Sequence, residues 1–363
     1  MLSVRRSLHI GREVDVRGVC DLKIPPLAVG MTSYACSDNL PTMATGKEAQ
    51  QLEIRRLGKS EIKPTALGLG GGHLGWEHLS ERNSIDTIHH AIDLGINFID
   101  TAPAYGLSEE RIGKALKGEW RERAYLQTKV GSHPDYLRDW SKEATTWSLE
   151  NSFKLLRVDY VDSVLIHGPR HDIEAPLDEC FGVMKDWKDK GRIGAIGVAV
   201  RQPEFHKRAI EEGADIILSF LNYTLVDQTY AEEAIPFAIE NDVGVIIGSP
   251  LANGLFAGPE PIQTDETRTH DEDGKLVPAA AGSHLDPAAF PPAHAIWKWC
   301  IDTDVNIRTL ALQFALHAPV KGNGIVLTGA SNPTEIEETY NDAITTIPDD
   351  VWDTFGAEFG VKV

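Results

Sequence analysis

Three side chains capable of proton chemistry stand at the ends of successive apolar stretches: Asp100 in F-I-D-T-A-P-A-Y-G, Lys129 in Q-T-K-V-G and His167 in L-I-H-G-P. Tyr105 follows Asp100 within one short loop. Any one of them alone reads as a strand-end salt bridge or a solvated polar group. A charge that ends an apolar strand costs desolvation unless it is paired, so three in succession point to one shared site. In such a site a Lys ammonium beside a Tyr hydroxyl favours the phenolate, and an Asp carboxylate keeps that Lys charged and in place. The imidazole then donates a hydrogen bond to an oxygen on which charge develops.

These residues meet only if their strands are neighbours, and the pattern from residue 51 onward makes them so. Short apolar strands alternate with longer amphipathic stretches: 66–70 with 83–94, 96–99 with 109–116, 124–128 with 144–156, and 161–166 with 177–189. The alternation continues with 193–198 and 204–211, 215–221 and 231–240, 243–247 and 307–316, and 324–327 and 333–340. Eight strand–helix units with right-handed crossovers predict an α/β fold, a closed (β/α)8 TIM barrel, spanning 51–363 as one domain. Its C-terminal mouth would collect the four residues above.

Two segments fall outside this pattern. Residues 1–50 carry no sustained period, and Pro25, Pro26 and Pro41 interrupt their apolar content; they read as a poorly ordered N-terminal extension. Arg5, Arg6, Arg12 and Arg17 suggest a transit peptide, but Glu13 and Asp15 dilute the charge and no apolar core precedes a small-residue cleavage site. Met43 offers an alternative start. The insertion 258–292 is polar and irregular, and at the mouth of a barrel it reads as a lid.

Composition narrows the class of function. The chain has 363 residues, with 54 Asp plus Glu against 35 Lys plus Arg and a net charge of -19, which disfavours nucleic acid or an anionic membrane as partner. No apolar run reaches the roughly 20 residues that span a bilayer, so a soluble protein is expected. The four cysteines form no C-x-x-C pair and the 13 histidines show no ligand spacing, which fits a reducing, cytoplasmic setting without a metal. Residues 70–75, G-G-G-H-L-G, match G-x-G-x-x-G, but Trp76 to Arg82 separate them from the next helical stretch. A pyrophosphate turn opens directly into its helix, so this run reads as a βα loop at the barrel mouth.

The segments R-R-L-G-K-S at 55–60, G-I-N-F-I-D-T-A-P-A-Y-G at 95–106, S-E-E-R-I-G-K-A-L at 108–116 and G-A-S-N-P-T-E-I-E-E-T at 329–339, with Lys129 and His167, resemble the aldo-keto reductase superfamily over nearly all of 52–345. The resemblance implies an oxidoreductase that binds a nicotinamide dinucleotide, with Tyr105 as proton donor or acceptor, Asp100 and Lys129 tuning it, and His167 orienting the carbonyl. It departs where many members hold the carboxamide with Ser-Asn, here Ala199 and Val200, and where many stack a Tyr on the nicotinamide, here Gly248.

N-Y-T-L-V-D-Q at 222–228 is similar to the aldose 1-dehydrogenase branch, which implies oxidation of a sugar C1 hydroxyl to a lactone. Ser249, Leu251, Asn253 and Gly254 are expected along the pyrophosphate. Gly329, Ser331, Asn332, Glu335 and Glu338, with Glu337, are expected near the adenosine. No Lys or Arg lies between Lys321 and Lys362 to pair with a 2'-phosphate, so NAD is expected over NADP.

Trp76, His78 and Trp140, with Tyr136, are the expected sugar-facing residues, although packing against outer helices explains them equally. Two other readings stay open: a reductase of another small aldehyde or ketone, pyridoxal-like or keto-glycoside, and a non-enzymatic nucleotide-binding sensor barrel. Oligomeric state is left undetermined by the sequence.

Overall fold

The computed structural model describes residues 51–169, 171–261, 268–270, 276–278 and 286–361. The expected extension over 1–50 lies outside the described residues, as does most of the expected lid. Eight parallel strands close into a barrel in sequence order: β1 (Leu67–Gly70), β2 (Phe98–Asp100), β3 (Tyr125–Val130), β4 (Val161–His167), β5 (Ile193–Ala199), β6 (Ile216–Phe220), β7 (Gly244–Gly248) and β8 (Gly324–Gly329), which pairs back onto β1. Around them lie α1 (Glu81–Asp93), α2 (Ser108–Ala115), α3 (Lys142–Leu156), α4 (Phe181–Asp189), α5 (Pro203–Glu211), α6 (Ala234–Glu240), α7 (Ile307–Leu316) and α8 (Pro333–Ile344). The (β/α)8 barrel read from the sequence is the architecture.

Strand residues are buried on both faces, and they separate into two cores by the period of two along each strand. Phe98, Leu165, Ala195, Ala199, Ile216, Leu218, Ile246, Ile325 and Leu327 fill the barrel interior. Alternate residues such as Leu69, Ile99, Leu126, Val164, Ile196, Ile217 and Val326 belong to the larger core beneath the helices. This parity matters for the site, because it decides which strand-end residues look into the mouth.

The lower opening is plugged by the segment before β1, where Ile54 bridges Thr65 and Leu57 and Ile62 enter the inner core. Gly58 makes this turn at φ +63°, and a Cβ there would lie 2.5 Å from the backbone nitrogen of Gly244. R-R-L-G-K-S is therefore a plug at the barrel's far end from the mouth.

Most elements start within three residues of the positions read from periodicity, and caps explain several starts. Ser80, Ser141 and Asn332 accept from backbone nitrogens of the first turns of α1, α3 and α8. Besides the single turn Glu119–Glu122, two longer helices among the described residues escape that reading, Phe290–Thr303 and Asp349–Phe359. The first begins inside the segment read as an irregular insertion, because Pro291 and Pro292 read as breakers. In the first turn of a helix proline costs no backbone hydrogen bond, and Phe290 is buried there. Between 258 and 290 the described residues include a small antiparallel pair, Arg268–His270 with Leu276–Pro278.

Candidate active site

Parity gives each strand one last inward-facing residue at the mouth: Gly70, Asp100, Lys129, His167, Ala199, Phe220, Gly248 and Gly329, in barrel order. The polar ones are consecutive, on β2, β3 and β4. Opposite them the wall is small or apolar.

Asp100 and Lys129 form a buried ion pair, with side chains only 6% and 1% exposed. Lys129 Nζ donates to Asp100 Oδ1 at 2.5 Å and to the carbonyl of Thr101 at 2.9 Å. Gln127, two residues down the same strand face, donates to Asp100 Oδ1 at 2.8 Å and accepts from Ser163 Oγ at 2.9 Å. The carboxylate thus holds two donors from β3 and cannot swing away. Lys129 Nζ lies 4.9 Å from the centre of the Tyr105 ring. His167 meets that ring edge-on, with centroids 5.6 Å apart, and its Nδ1 lies 2.9 Å from Ser132 Oγ.

The four predicted catalytic residues are therefore brought together. Burial lowers the Lys129 pKa, but the neighbouring Asp100 and Tyr105 outweigh it and hold the ammonium above its ordinary value. For Tyr105 burial dominates and pushes the phenol upward, with Lys129 pulling it down and Asp100 adding to the rise. Lys129 is thus a fixed cation and Tyr105 a phenol that carries its proton at neutral pH.

Two residues of the S-E-E-R-I-G run fasten the loops around this cluster. Thr101 Oγ1 donates to Ser108 Oγ at 2.8 Å, which in turn donates to the carbonyl of Gly71 at 2.8 Å. Buried Arg111 donates to the carbonyls of Leu74, Trp76 and Leu79 at 2.6, 2.9 and 2.7 Å. The β1–α1 loop packs so closely on the Tyr105 loop that a Cβ at Gly75 would lie 1.6 Å from the Tyr105 carbonyl oxygen. Removing the guanidinium in Arg111→Met leaves three carbonyls without their donor. We expect a loss of about 2–4 kcal/mol in urea unfolding and faster amide exchange over 73–80, which Arg111→Lys restores only in part.

The expected substrate and cofactor residues are placed as follows. Trp76 is exposed and forms an aromatic tier with His73 and His78, at centroid distances of 4.3 and 5.3 Å. Trp140 covers the end of β3, where a Cβ on Gly131 would fall 1.8 Å from its ring. Tyr136 instead packs 4.8 Å from Trp147 of α3.

After β7, Ser249, Ala252 and Asn253 take φ values of 56°, 47° and 52°, followed by Gly254 at 96°. Left-handed backbone at three residues other than glycine is costly, and such strain gathers at ligand sites. After β8, Glu335 already serves its own loop: it accepts from the Ser331 nitrogen at 2.7 Å and from Asn332 Nδ2 at 2.8 Å. Ser331 is also held through its carbonyl by Asn83 Nδ2. Glu338 pairs with Arg308 of α7 at 2.6 Å, and Arg308 also binds Asp342. A cation from α7 thus reaches α8, where counting along the β8–α8 segment shows none, and two carboxylates engage it.

Sequence reasoning passed over Gln127, Ser132, Arg111 and His73. The first three act through partners distant in sequence, which no local spacing reveals. His73 belongs to the glycine-rich run, and its Nδ1 is buried with no hydrogen-bond partner among the described residues. A Cβ on Gly329 would sit 2.9 Å from that nitrogen, so the imidazole lies over the end of β8. Burial lowers its pKa, with Glu335 opposing. An orphaned polar atom over Gly329, on the side of the mouth where β1 and β7 also end on glycine, suits a polar, extended ligand there. Among the described residues, no three His, Cys, Asp or Glu side chains converge to hold a metal.

Known proteins resemble this chain over most of its length. Residues 66–357 match the model of the aldo/keto reductase family. L-galactose dehydrogenase of Arabidopsis thaliana is 31% identical over 303 residues, covering 79% of this chain and 87% of that protein. D-threo-aldose 1-dehydrogenase of a Pseudomonas species is 28% identical over 316 residues, covering 79% and 92%. The holo form of an aldo-keto reductase from Bacillus halodurans has the same fold, with a TM-score of 0.66 and 24% identity over 85% of this chain and 96% of that one.

Proposed function

The chain belongs to the aldo/keto reductase family, and from that premise we propose that it oxidises a polar aldose at C1 to the lactone with NAD as acceptor. The observation that carries this reading is the buried Asp100–Lys129 pair under the Tyr105 ring, with His167 at the ring's edge. A bound nicotinamide supplies the acceptor for the C1 hydride. Tyr105, as the phenolate, takes the C1 hydroxyl proton and becomes the neutral phenol; Lys129 stabilises the charge that the phenol oxygen carries before this transfer, and Asp100 and Gln127 hold Lys129 in position. His167, braced by Ser132, binds the sugar oxygen. In the opposite direction Tyr105 returns the proton.

Likeness to two sugar dehydrogenases and the N-Y-T-L-V-D-Q segment supports a sugar over other carbonyl compounds. Trp76 with His78, and Trp140 above Gly131, offer the flat faces that a pyranose stacks on. Ser249, Leu251, Asn253 and Gly254 would line the pyrophosphate, His73 would bind to it or to the adjoining ribose, and Gly329, Ser331 and Asn332 would flank the adenosine.

NAD over NADP follows from charge at α8. Glu338 and Asp342 engage the cation Arg308, and Glu335 and Glu337 add two further carboxylates to the same helix, so a 2'-phosphate dianion meets net repulsion there. No helix among the described residues is long and apolar enough to cross a membrane. Cys180 and Cys300 are free thiols, in keeping with a cytoplasmic enzyme. The test is NADH formation from NAD and a panel of D- and L-aldoses. We expect turnover with a few stereochemically related sugars and NADH bound more tightly than NADPH. No turnover with any aldose, together with reduction of unrelated aldehydes, would move the substrate to a different carbonyl class.

A further inference from the structure

On the side of the mouth away from the polar cluster, β5 to β8 and β1 end on Ala199, Phe220, Gly248, Gly329 and Gly70. Among these Phe220 alone has a flat face. It packs against the inner core and stays half-buried at the strand end. Its partner across the β6–β7 ladder is Gly248, and a Cβ there would lie 3.2 Å from the Cβ of Phe220. A large side chain at 248 would crowd Phe220, and glycine avoids that crowding.

Arg201, just past the end of β5, sits over the same ring, with its guanidinium carbon 5.9 Å from the centroid. Its Nε donates to Asn222 Oδ1 at 3.0 Å and its Nη2 lies 3.9 Å from Asp227 Oδ2. Both partners are themselves held. Ser219 Oγ donates to Asn222 Oδ1, Asn222 Nδ2 donates to Thr229 Oγ1, and Asp227 Oδ1 accepts from the nitrogen and hydroxyl of Thr229. Asn222 and Asp227 of the N-Y-T-L-V-D-Q loop thus form a bracket that fixes one guanidinium over one aromatic ring.

A nicotinamide needs a flat apolar surface for its ring and a donor for its carboxamide oxygen. Ala199 and Val200 have no side-chain donor, and Gly248 has no face. We propose that the nicotinamide stacks on Phe220 and that Arg201 donates to its carboxamide oxygen, with Asn222 and Asp227 as positioning residues for Arg201. This rests on the dinucleotide cofactor of the function proposed above. The assignment also accounts for an arginine held beside an aromatic ring instead of extended into solvent.

Calorimetric titration of the full chain with NADH and with ADP-ribose, which lacks the nicotinamide, tests it. Phe220→Leu keeps apolar bulk and removes the flat face, so it remains informative if Phe220→Ala fails to fold. We expect Phe220→Leu and Arg201→Met each to weaken NADH by about five- to twentyfold, and ADP-ribose by less than about twofold. Arg201→Lys, a point charge without the fork, should recover only part of the loss. Unchanged NADH affinity, or equal loss for both nucleotides, overturns the assignment and leaves the cofactor reading standing. Arg201→Met that raises only the sugar KM transfers Arg201 to the substrate and overturns its carboxamide role. Wild-type protein that binds neither nucleotide overturns the cofactor reading and this inference together.

Discussion

Replacing Tyr105 by Phe is expected to lower kcat by about three orders of magnitude while the NADH dissociation constant stays within about twofold. The ring keeps its edge contact with His167 and its place beside Lys129, so the loss reports the proton alone. A Tyr105→Phe enzyme that retained wild-type turnover would remove Tyr105 from the chemistry. The wild-type pH profile has a definite sign in each direction. Burial pushes the Tyr105 pKa up more strongly than Lys129 pulls it down, so the phenol is protonated at neutral pH. Reduction uses that protonated form and should be flat from about pH 6 to 9, falling only as Tyr105 ionises. Oxidation uses the deprotonated form and should rise about tenfold per pH unit below that pKa. Initial rates in both directions with the same sugar and lactone check the pair. A reduction rate that climbed with pH would require a different acid.

The cluster of Asp100, Tyr105, Lys129 and His167 was legible because a charged residue at the end of an apolar strand has few explanations, and three on consecutive strands have fewer. The barrel was legible for a similar reason: strand and helix periods alternate without a break from β1 to β7. What the sequence hid falls into two kinds. Phe290–Thr303 was hidden by Pro291 and Pro292, whose cost depends on whether they lie in the first turn or the interior of a helix. Arg111, Gln127 and Ser132 were hidden because their roles lie in partners 27 to 37 positions away. The carboxylates on α8 illustrate the reverse error. From sequence, Glu335 and Glu338 stand free to meet the adenosine; in the fold one caps its own loop and the other holds Arg308. Composition near a site sets its net charge, but only the fold shows which charges are already engaged.

The second large effect lies beneath Tyr105. Lys129→Met is expected to abolish turnover and also to destabilise the fold by about 3–5 kcal/mol, because it leaves the Asp100 carboxylate buried without its cation. Gln127 still donates to that carboxylate, but one neutral amide does not replace an ammonium at 2.5 Å. Adding Asp100→Asn removes the stranded charge and keeps an acceptor for Gln127. The double variant should regain most of the stability and remain inactive, since no cation then stabilises charge on the Tyr105 oxygen. Urea unfolding of the wild type, both single variants and the double variant, with turnover measured beside it, separates the two roles. Equal stability losses in Lys129→Met and the double variant would mean that packing, not charge, is what Lys129 contributes to the fold. Restored turnover in the double variant would take Lys129 out of the reaction.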